Sequence, residues 1–196
     1  MHAHEISIIR PASGVRSREI AWRLAELDDQ LTLLLEELNA LSPAELAWQM
    51  TPGMNTIGML LAHLAIVEVF WVRAGLLAEP ETDPLPVLGI DMDADGIPIA
   101  EDAAPPVSLN GRDLDWYRDL LTRARTYLAA NLRERDDAWL DQLRTRVRRN
   151  GSTHQFDHRW VLYHLIEHFA AHSGQILLIR HALRNAQAAL PAADPR

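Results

Sequence analysis

The chain has 196 residues, 48% of them hydrophobic and 23% charged, which is ordinary for a soluble globular protein. Its 27 acidic and 19 basic residues give a net charge of −8, which argues against nucleic acid as the main partner. It contains no cysteine and no lysine, so disulfides, protein thiolate nucleophiles and lysine Schiff bases are excluded. We expect a single domain over residues 1–196, with residues 1–14 and 187–196 flexible.

Helical periodicity predicts four long helices. They are expected at about Val15–Ala40, Asn55–Leu77, Arg112–Arg135 and Asp157–Asn185. Asn55 and Asp157 are the predicted N-caps of the second and fourth. The capping box from Ser42 to Glu45 predicts a short helix between the first two. Glu79–Gly111 shows no helical period, and its length indicates a crossover or a functional loop.

A small β-hairpin is predicted before the fourth helix. Leu143–Arg148 alternates apolar and polar residues, Asn150–Gly151 is a strong turn signal, and Thr153–Phe156 can return as the second strand. The predicted fold class is all-α, a four-helix bundle with one long crossover between helices 2 and 3. The longest apolar stretch, Ile57–Val67, is shorter than the roughly 20 residues that span a bilayer. With no secretion signal recognisable either, we expect a cytoplasmic protein without a membrane partner.

Three histidines repeat at four-residue spacing within the fourth helix, so their rings project from one stripe. Adjacent rings lie about 6 Å apart along the axis and can share an ion, whereas the outer two lie about 12 Å apart. The pair is therefore either His164 with His168 or His168 with His172. His63, on the second predicted helix, is a candidate ligand from a separate element. Buried imidazoles without partners are costly, so this set predicts a divalent metal site.

His164 to His168 also match the H-x-x-E-H pattern of inverted zinc proteases, with Glu167 as the general base. No glutamate follows Glu167, and the only later acid, Asp194, lies in the predicted flexible tail. We therefore interpret Glu167 as a solvated residue or a hydrogen-bond partner near the site.

Two charged motifs are interpreted as solvated surface. Asp91–Gly96 is similar to the start of a calcium-binding loop, but Asp102 would replace the usual glutamate and Pro98 interrupts the loop. Arginines on the hairpin could attract an anion, yet the net charge of −8 favours an exposed face. These arginines are Arg144, Arg146, Arg148 and Arg149.

From Trp48 to Ala182 the chain resembles the DinB-like (DinB/YfiT) superfamily of metal-binding four-helix proteins. The residues that carry the resemblance are Trp48, Pro52–Gly53, Asn55–Gly58, His63, Glu68, Trp71 and His164–Gln175. The resemblance implies an up-down-down-up bundle, often a homodimer. It also implies His63, His168 and His172 as metal ligands, with His164 as a neighbour of the site.

Three neutral imidazoles leave an open coordination position on an ion, as in catalytic rather than structural zinc sites. Some members of the resembled superfamily are S-transferases that use mycothiol or bacillithiol. We therefore expect a transferase that activates a small exogenous thiol with zinc, nickel or iron and acts on a small-molecule substrate. Two alternatives stay open: a hydrolase using metal-activated water with Glu167 or a loop acid as base, and a non-catalytic metal- and ligand-binding dimer.

Overall fold

The computed structural model describes residues 7–147 and 150–189, which are mostly helical with one two-stranded antiparallel hairpin. The elements in chain order are α1 Arg18–Leu38, α2 Pro43–Leu46, α3 Ile57–Trp71, α4 Leu85–Leu88, α5 Leu114–Leu132, α6 Asp137–Leu140, β1 Leu143–Val147, β2 Thr153–Asp157 and α7 His158–Ala188. A π-helical turn, Val72–Leu76, continues α3, and a 3-10 turn occupies Val107–Leu109.

Each of the four long helices begins at a side-chain cap, which satisfies backbone N–H groups that have no partner within the helix. The caps are Ser17 for α1, Thr56 for α3, Asp113 for α5 and Asp157 for α7. The predicted long helices are therefore present, with ends that differ by a few residues. The predicted cap Asn55 is wrong by one position, because the Thr56 hydroxyl accepts the Met59 N–H at 3.1 Å.

The segment Glu79–Gly111 is more regular than its sequence indicated. It contains α4 and the 3-10 turn, both too short to produce a visible period. The α4 helix packs against α5, where the Arg123 guanidinium donates to the Leu88 carbonyl at 2.6 Å. This loop is therefore held against the helices at both α4 and Leu109, which is buried.

The α3 helix lies at the centre of the packing, against α5 and α7, and α1 packs against α7 and α5. Together, α3 and its π-helical turn form the segment Ile57–Leu76, which has 20 residues and a mean hydropathy of 1.7. By length and composition this segment could cross a membrane. The prediction from Ile57–Val67 that no apolar stretch is long enough to span a bilayer was therefore wrong. However, 72% of an 18-residue apolar stretch within this segment is buried in the fold, as in the core helix of a soluble protein.

Two glycines allow close contacts of α3 and its π-helical turn. A Cβ atom at Gly58 would overlap the Tyr117 hydroxyl of α5. A Cβ atom at Gly75 would lie 2.7 Å from Cε3 of Trp71 and 3.2 Å from Cγ2 of Val161 on α7. The absence of a side chain at Gly75 thus lets the Trp71 indole lie close to α7, next to the histidine row.

The β-hairpin is confirmed, with Leu143 paired to Asp157 and Val147 to Thr153. In this register Arg146 is opposite His154. Arg148, predicted at the end of the first strand, and Arg149 lie outside the described residues. The hairpin leads directly into α7, so it fixes the start of the helix that carries the three histidines.

Candidate metal centre

Three imidazoles from two helices converge on one point. Nε2 of His168 lies 3.2 Å from Nε2 of His63 on α3 and 3.1 Å from Nε2 of His172 on α7. One ring nitrogen from each residue lies within 4.8 Å of the other two. Two of these rings are one helical turn apart on α7, and the third comes from α3. Helical spacing predicts this arrangement, because only adjacent rings on one helix can share an ion.

The donor set fits a divalent ion better than it fits hydrogen bonds alone. Nδ1 of His63 lies 2.8 Å from a carboxylate oxygen of Asp95, and Nδ1 of His172 lies 2.8 Å from Oε1 of Gln175. These oxygens accept, so both Nδ1 atoms carry the hydrogen and both neutral rings present a bare Nε2 to His168. His168 can donate one hydrogen at Nε2, which leaves at least one lone pair facing another nitrogen. Tetrahedral zinc with bonds of about 2.0–2.1 Å separates its ligand nitrogens by roughly 3.3 Å, close to the observed spacing.

Burial keeps the central ring neutral. Burial first, and then the neighbouring rings of His172, His63 and His164, lower the pKa of His168 from 6.5 to about 3. Burial also lowers the pKa of His172, partly offset by its hydrogen bond to Gln175. A neutral imidazole is the form that binds a metal, so both rings are in the ligand form at neutral pH.

His164 lies beside this cluster and not within it. Its ring stacks on Trp160 at 4.8 Å between centroids, and its centroid is 5.8 Å from that of His168. Its Nδ1 donates to Oε1 of Glu167 at 2.9 Å, so Glu167 is a hydrogen-bond partner near the site, as the sequence indicated. Of the two pairs left open by helical spacing, His168 with His172 is the one that shares a centre with His63.

An open cleft of about 740 Å³ adjoins the cluster. Its lining residues include His63, His164 and His168, the aromatic rings of Phe70 and Trp71, the loop residues Glu81, Asp83, Met92 and Asp93, and Arg146. This volume lies within the range of about 300–1,000 Å³ that small-molecule sites occupy. The arrangement gives a small ligand direct access to two of the three converging imidazoles.

Sequence reasoning missed two residues at this site. Asp95 belongs to the acidic loop interpreted as solvated, yet it is only 2% exposed and contacts His63. Arg146 was also interpreted as solvated, yet its guanidinium lies 4.7 Å from the Phe70 ring centroid and faces the cleft. Arg144 likewise has a partner, since its Nε donates to Nε2 of His158 at 2.9 Å. Alternation within β1 was the only sequence signal for Arg144 and Arg146.

We expect the metal-free protein to lose stability on acidification partly through His168. Between pH 6.5 and about 3 the unfolded chain protonates this ring while the folded chain does not, so the free energy of unfolding falls as the pH falls. His168→Asn removes that contribution. Denaturant titrations from pH 7 to pH 4 should therefore show a shallower decline for His168→Asn than for the wild-type protein. Equal declines would mean that the ring titrates alike in both states.

The fold and the cluster together define a mostly helical protein with a candidate mononuclear histidine metal centre. The same fold occurs in the crystal structure of a conserved protein from Enterococcus faecalis, which is 16% identical, with a TM-score of 0.59 over 83% of this chain and 95% of that one. No curated protein matches the chain significantly by sequence. The family model for mycothiol S-transferase matches residues 24–185. The chain therefore belongs to the mycothiol S-transferase family, a DinB/YfiT-like family, and the resemblance found in the sequence is confirmed.

Proposed function

We propose that this protein is a metal-dependent S-transferase that activates an exogenous low-molecular-weight thiol at His63, His168 and His172. The family supports the transferase chemistry and the thiol. The observation that carries the proposal is the convergence of three imidazole nitrogens beside an open cleft. Mycothiol is the thiol that the family name indicates, and bacillithiol is the alternative from the sequence resemblance. Because the chain has no cysteine, the sulfur nucleophile must come from a small molecule.

The residues divide the work in a simple way. His63, His168 and His172 would hold the ion through neutral nitrogens, with zinc, nickel or iron all compatible with this donor type. A divalent ion bound there would lower the pKa of a thiol and so supply a thiolate at neutral pH. Phe70 and Trp71 provide apolar ring surface in the cleft, against which an electrophile would pack.

A hydrolase remains the second candidate, because Asp93 offers an exposed carboxylate on the cleft wall. The other predicted base, Glu167, is less suitable. Hydrogen bonds from His164 and Tyr163 lower the pKa of this carboxyl, which makes it a weaker proton acceptor. Hydrolysis requires no thiol, so one assay separates the two candidates by whether turnover depends on an added thiol.

The test is a conjugation assay with zinc-loaded protein, mycothiol and a small electrophile, followed by mass spectrometry of the thioether product. We expect product formation that requires the thiol, stops after chelation and is lost in His172→Ala. Conjugation no faster than the protein-free background with several thiols and electrophiles would refute the transferase. Turnover of the electrophile without any thiol would instead favour the hydrolase, and binding without turnover would favour the non-catalytic alternative.

We also propose an up-down-down-up arrangement of the four long helices and a homodimer. The contacts of α1 with α7 and α5, and of α3 with α5 and α7, support the up-down-down-up bundle. Leu33 on α1 and Leu177 and Leu178 on α7 are exposed, which supports a homodimer formed through these helices. The cytoplasmic location and the single domain over residues 1–196 stay predictions.

A further inference from the structure

Asp95 is a buried carboxylate held between a histidine of the cluster and its own loop. One oxygen lies 2.8 Å from Nδ1 of His63, and the other accepts the Ile97 N–H at 2.9 Å. We propose that Asp95 is a positioning residue that orients His63 for the metal and ties the cleft-lining loop to the metal centre. This inference depends on the metal site in the proposed function, but it does not depend on the identity of the thiol.

The hydrogen bond decides which nitrogen of His63 is available. An ionised carboxylate can only accept, so Nδ1 of His63 must carry the hydrogen, and Nε2 is left as a lone pair. That lone pair faces Nε2 of His168. A partner on the far nitrogen commonly fixes the tautomer and ring orientation of a metal-binding histidine and makes it more basic.

The charge of Asp95 supports the same role. A carboxylate this deeply buried is costly unless a positive charge lies near it. Among the described residues, no arginine forms an ion pair with Asp95. Its contact is the His63 ring. A divalent ion on the opposite nitrogen of that ring would supply the compensating charge. Beside the two hydrogen bonds that satisfy its oxygens, the burial of Asp95 therefore supports a cation at the cluster.

The same residue links the cluster to the wall of the cleft. Met92 and Asp93, three and two residues before Asp95, line the cleft. The segment is also held from its other side, where the Ser108 hydroxyl donates to the Ala94 carbonyl at 3.1 Å. A Cβ atom at Gly96 would lie 3.0 Å from the Pro106 ring, so the segment packs closely against Pro106. Binding of the ion to His63 should therefore order this wall of the cleft through Asp95.

The test compares Asp95→Ala and Asp95→Asn with the control Asp91→Asn, which removes an exposed charge from the same loop and keeps a side-chain oxygen that can accept the Asp93 N–H. Zinc affinity is measured by competition with a chromophoric chelator. We expect a 10–100-fold loss for Asp95→Ala, the range typical of such partners. We expect a smaller loss for Asp95→Asn, whose amide oxygen can still accept from Nδ1, and wild-type affinity for Asp91→Asn. Unchanged affinity in both Asp95 variants would overturn the proposal.

Two further readouts separate positioning from a general structural effect. The ¹⁵N NMR spectrum of the His63 ring should show hydrogen on Nδ1 in the wild-type protein and a mixture of tautomers in Asp95→Ala. Hydrogen exchange across residues 91–97 should slow on adding zinc to the wild-type protein, and this slowing should be lost in Asp95→Ala. A wild-type tautomer and wild-type protection in a folded Asp95→Ala would contradict the role. If Asp95→Ala does not fold, Asp95→Asn carries the zinc-affinity measurement, in which a loss of affinity is still expected and wild-type affinity would contradict the role. None of these measurements requires turnover, so a failed conjugation assay leaves this test intact.

Discussion

Replacing His168 with alanine is expected to abolish stoichiometric metal binding. Nε2 of His168 is the nitrogen that approaches both of the others, at 3.1 and 3.2 Å. Loss of an outer partner of a metal ligand already weakens binding about 10–100-fold, so loss of this central nitrogen should cost more than about 100-fold. The measurement is elemental analysis after dialysis, together with a chelator-competition titration.

His181→Ala is the matched control, because His181 is an exposed histidine on the same helix. It should bind one ion with wild-type affinity. His164→Ala should also retain the ion, whereas His172→Ala should lose it. If His172→Ala retained the ion and His164→Ala lost it, the metal would be held by the other adjacent pair, His164 with His168.

Replacing Arg125 with methionine is expected to destabilise the fold by about 3–5 kcal/mol, the usual cost of leaving one partner of a buried ion pair alone. Arg125 on α5 is 7% exposed and binds both carboxylate oxygens of Glu68 on α3, at 2.9 and 3.0 Å. Its Nη1 also donates to Asp28 on α1 at 2.7 Å, so one guanidinium joins three long helices. Glu68 is itself only 4% exposed, and it would keep an uncompensated charge in the core.

The free energy of unfolding is measured by denaturant titration followed by circular dichroism. Arg118→Met is the control on the same helix, since Arg118 pairs with Asp115 in solvent and should change stability by less than about 1 kcal/mol. The double variant Glu68→Leu/Arg125→Met should recover most of the loss, because no unpaired charge is left in the core and the Asp28 side chain is 57% exposed to solvent. A loss below about 1 kcal/mol in Arg125→Met would mean that solvent reaches Glu68 in the folded protein.

Features that depend on local chemistry were predictable from the sequence. The capping box at Ser42 and the turn at Asn150–Gly151 depend on nearby backbone atoms, and both are present. The adjacent candidates Asn55 and Thr56 could not be separated, because both residue types make good caps and the backbone decides between them. Spacing on one helix limited the ligands to adjacent pairs, with His168 in both. Only the resemblance selected His172 in preference to His164.

The residues that were missed depend on contacts between distant segments. Asp95 follows His63 by 32 positions, in a loop with no period, and its burial arises only when that loop folds onto α3. The acidic pattern around Asp95 therefore looked like a solvated surface. Arg146 could be assigned to a strand by alternation, but its contact with Phe70 depends on how the hairpin lies against the end of α3. No pattern within either segment carries that information.

Cobalt(II) substitution tests most directly whether the three imidazoles and an external thiol meet at one ion. We expect wild-type protein to take up one equivalent of cobalt and to develop a sulfur-to-cobalt absorption band when mycothiol is added. The band should be absent in His168→Ala and absent when the sulfur of the thiol is blocked. One equivalent of cobalt at His63, His168 and His172 with no such band for any small thiol would contradict thiol activation at this centre.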